Sequence, residues 1–255
     1  MTRTKSLRYN AASDEPLLIQ SGKDLFENCK GRWRSEYFKN DHPIVLELAC
    51  GRGEYTVWLS QIYPEKNFIG VDVKGERMMM GIKKWKEEVE WSQSTLNIAF
   101  LRTIIHHIDQ FFAPWEVDEI WIVHPDPRPK WHDARRRITS PRFLKMYDSI
   151  LKSGWFLRLK TDDNRLFEYS IEQLAEYRDS GSRPEWHWFE LIDTTWDLEQ
   201  SPLLADHHGI ETHYGLLFKS EWRTIKYGVW KKRDTFYQKI CEKGWKFIFS
   251  SKLHT

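Results

Sequence analysis

Five short apolar segments recur at helix-length intervals along the chain, and this recurrence constrains the fold more than any other feature of the sequence. The first segment is apolar almost throughout and ends in glycines, as is typical of a strand buried on both faces of a parallel sheet. The stretches between the segments carry apolar residues at helical spacing. Strand, helix and parallel strand repeated in this way predict an α/β fold with a mostly parallel, doubly wound sheet. The predicted strands are residues 44–49, 67–72, 97–102, 117–123 and 155–161.

The best-marked helix lies between the last two of these strands. Ser140 is a favourable N-cap, Pro141 suits the first helical position, and an apolar stripe follows as far as Leu151. We expect this helix to end at Gly154, because glycine commonly follows a helix C-terminus. Beyond it the pattern is less regular, and the sequence predicts strands at residues 186–195 and 225–232 and a short helix at residues 212–222.

The length and composition favour one large domain. A chain of 255 residues is within the range of single α/β domains, and it has no run of apolar residues long enough to cross a membrane. The three cysteines indicate neither a disulfide framework nor a metal site, and the polar N-terminus is not a secretory signal, so a cytoplasmic protein is expected. We predict a catalytic domain at residues 41–235 and a tail at residues 236–255. Residues 1–40 are predicted to be an extension, either a basic arm or a frayed terminus.

A glycine turn follows the first predicted strand. Gly51 and Gly53 stand between this strand and the next helix, where the backbone can approach a ligand closely. The third glycine of the dinucleotide-binding fingerprint is replaced by Thr56, which disfavours a dehydrogenase. Asp72 ends the second predicted strand, where a carboxylate can accept both hydroxyl groups of a ribose. The sequence therefore predicts a site for a nucleoside-containing cofactor.

Glu47 indicates which cofactor of this kind is bound. A carboxylate leading into the glycine turn would repel a pyrophosphate, but it can pair with an ammonium group. S-adenosylmethionine has such an ammonium group and no phosphate, so we expect it to be the cofactor. Thr103 follows the third predicted strand, where it either contacts the adenine or is an ordinary residue at a strand end.

A proline-rich loop, residues 124–137, follows the fourth predicted strand. Three prolines restrict its backbone and hold Asp126 at the carboxyl edge of the sheet. The many basic residues after Asp126 suit the neutralisation of phosphates, with a solvated basic loop as the alternative. The position of the loop beside a predicted active site favours nucleic-acid binding. These basic residues are Arg128, Lys130, Arg135, Arg136 and Arg137.

The chain resembles the bacterial tRNA (guanine-N7-)-methyltransferase family over about residues 44–232. The glutamate in the glycine-turn strand of this family is matched by Glu47, and the acid at the end of its second strand is matched by Asp72. Its PDPWPK-type loop is matched at every position of residues 125–130 except Arg128. The family resemblance implies a Rossmann-like class I methyltransferase fold.

Two later signatures of the family are also present. A Thr-Asp pair after the fifth strand is matched by Thr161 and Asp162, and a Thr-x-Tyr/Phe-Glu signature is matched in part by residues 212–215. Two carboxylates of the family pattern are absent, because Thr103 and Gly215 stand in their places. These departures keep open the alternatives of a non-catalytic tRNA-binding paralogue and of a methyltransferase with another substrate.

The resemblance implies methyl transfer from S-adenosylmethionine to N7 of a guanosine in the variable loop of tRNA. Guanine N7 has a free lone pair and no proton, so the reaction needs no general base and positioning dominates catalysis. Asp126 is predicted to hold the guanine and to contact the cofactor as well. Lys130, Asp162 and Thr212 are predicted to bind the RNA substrate. No metal is expected, and the protein is expected to be a monomer or a homodimer.

Overall fold

The computed structural model describes residues 14–89, 97–174 and 189–233. Within these residues the chain forms a single eight-stranded sheet. In chain order the strands are β1 (Leu18–Ile19), β2 (Ile44–Leu48), β3 (Asn67–Asp72), β4 (Ile98–Arg102), β5 (Val117–Val123), β6 (Leu151–Thr161), β7 (Phe189–Thr195) and β8 (Lys226–Lys232).

Six α-helices connect or flank the described strands. They are α1 (Asp24–Asn28), α2 (Glu54–Ile62), α3 (Gly75–Val89), α4 (Pro141–Ile150), α5 (Asn164–Leu174) and α6 (His213–Ser220). The described residues also contain four other helical segments, a π-helix at Trp33–Phe38 and 3-10 helices at Ile105–Gln110, Trp131–Arg136 and Pro202–His207.

The strand order in the sheet is β1-β4-β3-β2-β5-β6-β8-β7. The first six strands of the chain run parallel. At the far edge β8 pairs antiparallel with β6, and β7 pairs antiparallel with β8. The chain moves outward from β2 to β3 and β4, and then from β5 to β6 on the other side. In such sheets the point of reversal, here between β2 and β5, opens a crevice at the carboxyl ends of the strands. The predicted doubly wound, mostly parallel sheet is therefore confirmed.

The predicted helix after Ser140 is confirmed at its start and wrong at its end. It ends at Ile150 rather than at Gly154. Leu151 has extended backbone angles (φ −80°, ψ 134°), is fully buried and pairs in register with Val117 of β5. An apolar residue at this position is buried equally well in the last turn of a helix or in a central strand. Periodicity therefore could not separate the two, and β6 begins four residues earlier than predicted.

Residues 14–40 belong to the same folded body as the rest of the sheet. Through β1 they add an edge strand that pairs in parallel with β4. Trp33 is fully buried, and its ring stacks on Phe112 with ring centroids 5.4 Å apart. The structure thus differs from the predicted domain boundary at residue 41. A two-residue strand and a single buried Trp leave no periodic pattern by which the sequence could have revealed them.

The two ends of the chain, residues 1–13 and 234–255, lie outside the described residues. The predicted tail at residues 236–255 and the first part of the predicted extension are therefore not described. In the part of the chain that the structure describes, no helix combines the length and the apolar character needed to cross a membrane.

Candidate active site

A cavity of about 720 Å³ opens at the carboxyl ends of β2 to β6, at the switch point of the sheet. Its walls come from the strand ends, the proline-rich loop and α6. Lys130 is exposed and is not part of the lining. The structure brings the other seven predicted site residues together in this cavity, and they are Glu47, Gly51, Asp72, Thr103, Asp126, Asp162 and Thr212.

The turn after β2 is tightly folded against the neighbouring strands. Ala49 and Gly51 both have left-handed backbone angles, with φ of 58° and 56°. At Gly53 the φ angle is 67°, and an added Cβ would lie 2.3 Å from the ring of Phe100 in β4. Glycine is therefore needed for this close approach. The N–H group of Gly51 donates a hydrogen bond of 3.0 Å to Asp72 Oδ2, which joins the turn to the end of β3.

Asp72 is held in place by two backbone donors. Its Oδ2 accepts from Gly51, and its Oδ1 accepts from the N–H group of Lys74 at 2.8 Å. Each carboxylate oxygen can accept a further hydrogen bond, so both oxygens keep the capacity to bind hydroxyl groups. Thr103 is tied to the end of β3, because its N–H group donates a hydrogen bond of 3.1 Å to the backbone carbonyl of Asp72. Ile104, which is half exposed, adds an apolar surface to the same wall.

Glu47 lies in β2 and is only 5% exposed. Its Oε2 accepts hydrogen bonds from the hydroxyl group and the backbone N–H group of Thr56, the latter at 2.8 Å. Burial raises the pKa of Glu47 to about 8, with smaller contributions from the negative charges of Glu54 and Asp72, although the bonds from Thr56 oppose this rise. A positive group placed beside this carboxyl would favour its ionised form and lower the pKa.

Asp126 lies on the exposed side of the cavity, with its side chain 65% exposed. Arg128 contacts it twice. The guanidinium Nε lies 3.1 Å from Asp126 Oδ2, and the backbone N–H group donates a long hydrogen bond of 3.4 Å to Oδ1. Exposed ion pairs contribute roughly 0–1 kcal/mol, so Arg128 is a weak competitor for a ligand of Asp126.

Asp162, directly after β6, belongs to a charged cluster. Arg223 donates a hydrogen bond of 2.8 Å to Oδ2, and His124 Nδ1 lies 3.6 Å from Oδ1. Burial tends to raise the pKa of Asp162, but the contacts with His124 and Arg223 outweigh it, and the pKa is lowered. Asp162 is not needed to cap α5, because Asp163 Oδ1 accepts a hydrogen bond of 2.6 Å from the N–H group of Leu166 at the start of that helix. Asp162 therefore remains an ionised carboxylate in the cavity wall.

His124 is a cavity residue to which the sequence analysis gave no role. Its side chain is 3% exposed, and neither ring nitrogen has a hydrogen-bond partner among the described residues. Burial lowers the pKa of His124, which keeps the imidazole neutral. The ring packs against Phe218 of α6 with centroids 5.2 Å apart. Phe218 and Arg223 were missed as well, because only tertiary packing brings them to the strand ends. Tyr214 belongs to the signature at residues 212–215, but the sequence analysis gave it no role.

Thr212 is the N-cap of α6. Its Oγ1 accepts a hydrogen bond of 2.9 Å from the N–H group of Gly215, and the residue is buried. The hydroxyl hydrogen can still donate to another group. A Cβ added at Gly215 would lie 3.1 Å from this Oγ1, so a larger residue there would crowd the cap.

Two solved structures share this architecture at low sequence identity. The 16S rRNA methyltransferase KamB is 16% identical with a TM-score of 0.55, and the match covers 85% of this chain and 96% of that one. A 16S rRNA methyltransferase from Catenulisporales acidiphilia, crystallised with its cosubstrate SAM, is 11% identical with a TM-score of 0.51, over 80% and 91% of the two chains. These likenesses show that the chain has the class I methyltransferase fold.

The sequence comparisons narrow this class further. A family model described as "Putative methyltransferase" matches residues 41–224. The chain belongs to the tRNA (guanine-N(7)-)-methyltransferase family. The relative of that name from Cytophaga hutchinsonii is 36% identical over 89% of this chain and 96% of its own. The relative from Bacteroides fragilis is 44% identical over 78% and 73%, and the one from Brevibacillus brevis is 33% identical over 77% and 83%.

Proposed function

We propose that the protein transfers the methyl group of S-adenosylmethionine to N7 of a guanosine in the variable loop of tRNA. The observation that carries this proposal is the gathering of the four predicted site carboxylates around one cavity in a chain of this family. The partner is tRNA and no membrane is involved. The protein is expected to act in the cytoplasm, as a monomer or a homodimer. The four carboxylates are those of Glu47, Asp72, Asp126 and Asp162.

The cofactor is assigned to the wall formed by β2, β3 and β4. Glu47 would pair with its ammonium group, because this buried carboxyl has a raised pKa that a cation would lower. Asp72 would accept the ribose hydroxyl groups through its remaining lone pairs, and the backbone of the turn at Gly51 would approach the same ligand. Thr103 and Ile104 would flank the adenine. When bound, the cofactor supplies an electrophilic methyl group on a sulfonium.

The guanosine is assigned to the opposite wall, formed by the ends of β5 and β6 and by α6. Asp126 would accept hydrogen bonds from the N1 and N2 hydrogens of guanine and stabilise the positive charge that forms on the ring. Asp126 can give up its contact with Arg128 and bind the base, because the ion pair between Asp126 and Arg128 is exposed and therefore weak. Asp162, held by Arg223, and the hydroxyl of Thr212 would bind polar groups of the nucleoside.

The reaction needs only positioning by these residues. When bound, the cofactor would supply the methyl carbon to the lone pair of N7, and its sulfur would keep the electron pair of the broken carbon–sulfur bond. No proton moves, so no general base is assigned. Lys130 is proposed to bind a phosphate of the RNA outside the cavity, because it is exposed and follows the rim residue Arg128 by two positions.

Methyl transfer from labelled S-adenosylmethionine to an unmodified tRNA transcript tests the proposal. Digestion of the product should place the label in 7-methylguanosine. Asp126→Ala is expected to lower kcat/KM by about 100-fold, because an acceptor that stabilises the transition state is lost. Asp109→Ala, an exposed acid outside the cavity, is the matched control. Binding of tRNA without any transfer of label by the wild type would instead support the non-catalytic paralogue.

A further inference from the structure

Trp131 is 85% exposed, although it is one of the largest apolar side chains in the protein. It begins the 3-10 helix Trp131–Arg136, which lies within the proline-rich loop. Its ring meets that of His132 edge-on, with centroids 6.0 Å apart. Both faces of an indole with this exposure are largely available to a flat partner.

The surroundings of Trp131 are strongly basic. Lys130 precedes it, and Arg135 and Arg136 follow it within one short helix, all three exposed. Arg128 and Arg136 also line the active-site cavity, so the helix that carries Trp131 adjoins the cavity rim. This arrangement of cations around an aromatic face suits a polyanion with planar groups.

The segment that carries Trp131 is tied to the body of the protein. Arg137 donates from Nε to the carbonyl of Arg128 at 3.2 Å, and its guanidinium lies 4.5 Å from the ring centroid of Tyr169 in α5. Ser140 Oγ donates to the carbonyl of Arg135 at 3.1 Å. The exposed ring thus stands on a held backbone, and binding there would cost little ordering of the loop.

We propose that Trp131 is a stacking platform for an unstacked nucleotide of the substrate RNA next to the target guanosine. This inference rests on the proposed function. A guanosine that enters the cavity must leave its stack, and its neighbour then loses a stacking partner. The indole replaces that partner, while Lys130, Arg135 and Arg136 neutralise the adjoining phosphates. An RNA with unpaired bases fits both features, whereas an acidic protein would use only the cations.

The test measures the affinity of the full-length protein for unmodified tRNA over a range of salt concentrations. Trp131→Ala should weaken binding by about tenfold at every salt concentration, since base stacking on an aromatic ring is worth about this much and involves no counterions. The slope of log K against log salt should stay that of the wild type. Trp131→Phe should retain most of the affinity.

Two matched variants separate stacking from other roles. Arg135→Ala should reduce the salt slope by roughly 0.7–0.9, because one phosphate contact is lost. Trp58→Ala removes a partly exposed Trp outside the cavity and should bind as the wild type does.

Three outcomes would overturn the platform while leaving the methyl transfer reaction intact. They are wild-type affinity in Trp131→Ala, an equal loss in Trp131→Phe, and a changed salt slope in Trp131→Ala. Binding of the wild type to anionic lipid vesicles that is lost in Trp131→Ala, with tRNA affinity unchanged, would assign the ring to a membrane instead. If the wild type neither binds nor methylates tRNA, the proposed function itself fails.

Discussion

On the proposed assignment, Glu47 is the residue whose ionisation should respond to cofactor binding most directly. Its pKa of about 8 means that the free protein holds a proton there at pH 6.5, where an α-ammonium group is also charged. An ammonium placed beside Glu47 favours the ionised carboxylate. We therefore expect the binding of S-adenosylmethionine at pH 6.5 to release about one proton, measurable by titration calorimetry in two buffers of different protonation enthalpy.

The control for this prediction is Glu47→Gln, which keeps the shape of the side chain but cannot ionise. The variant should bind the cofactor more weakly and release no proton. Proton release equal to that of the wild type would show that another group titrates and that Glu47 does not contact the ammonium.

Individual site residues could be predicted where chain topology alone determines their location. Glu47, Asp72 and Asp162 stand in or directly after strands, and parallel strands bring their carboxyl ends to one edge. His124 stands at such an edge too, but its burial between Asp162 and α6 depends on packing that has no local signal. The ion pair between Arg223 and Asp162 joins residues 61 positions apart, and no spacing rule reaches that far.

Among the elements, α6 depends on the cap at Thr212. Thr212→Ala should lower the free energy of unfolding by about 1 kcal/mol, because the N–H group of Gly215 loses its acceptor. Urea denaturation followed by circular dichroism measures the change. Thr212→Asn should restore the cap.

The same pair of variants tests whether Thr212 also binds substrate. If its hydroxyl donates to the nucleoside, Thr212→Asn should recover stability but not the KM for tRNA. Full recovery of both would restrict Thr212 to its structural role.

The elements that the sequence predicted well are those with one strong pattern. Strands β2, β3 and β5 are completely or almost completely buried, and an apolar run bounded by turn residues predicts such strands directly. The junction of α4 and β6 was misplaced because no loop separates the two elements. Ile150 and Leu151 are adjacent apolar residues that fit either periodicity, and only pairing with β5 decides where the helix ends.

For the whole molecule, Trp33 tests whether the segment before residue 41 is part of the domain. Its side chain is fully buried against Phe112, and its Nε1 donates a hydrogen bond of 2.8 Å to the carbonyl of Phe111. Trp33→Ala should lower the free energy of unfolding by about 3–5 kcal/mol. Trp222→Ala, at a side chain that is 95% exposed, should change it by less than about 0.5 kcal/mol. If both substitutions changed the free energy of unfolding by an equally small amount, the residues before 41 would be a separate extension and not part of the domain.

The overall architecture followed from the alternation of strands and helices, but its N-terminal edge did not. A strand of two residues, β1, is too short for any period, and the ion pair of Arg34 with Asp118 that anchors this segment spans 84 positions. Such features arise only once the central sheet exists and offers an edge and a buried partner.

The reversal of the sheet between β2 and β5 has a consequence for how such a protein changes over time. On the proposed assignment, the methyl donor is held by residues 44–104 and the acceptor nucleoside by residues 124–223. Arg128 and Gly215, two of the departures from the family pattern, fall in the second stretch. Selection for a different RNA target can therefore act on one contiguous stretch of the chain, while the residues that bind the methyl donor, in the other stretch, remain unchanged.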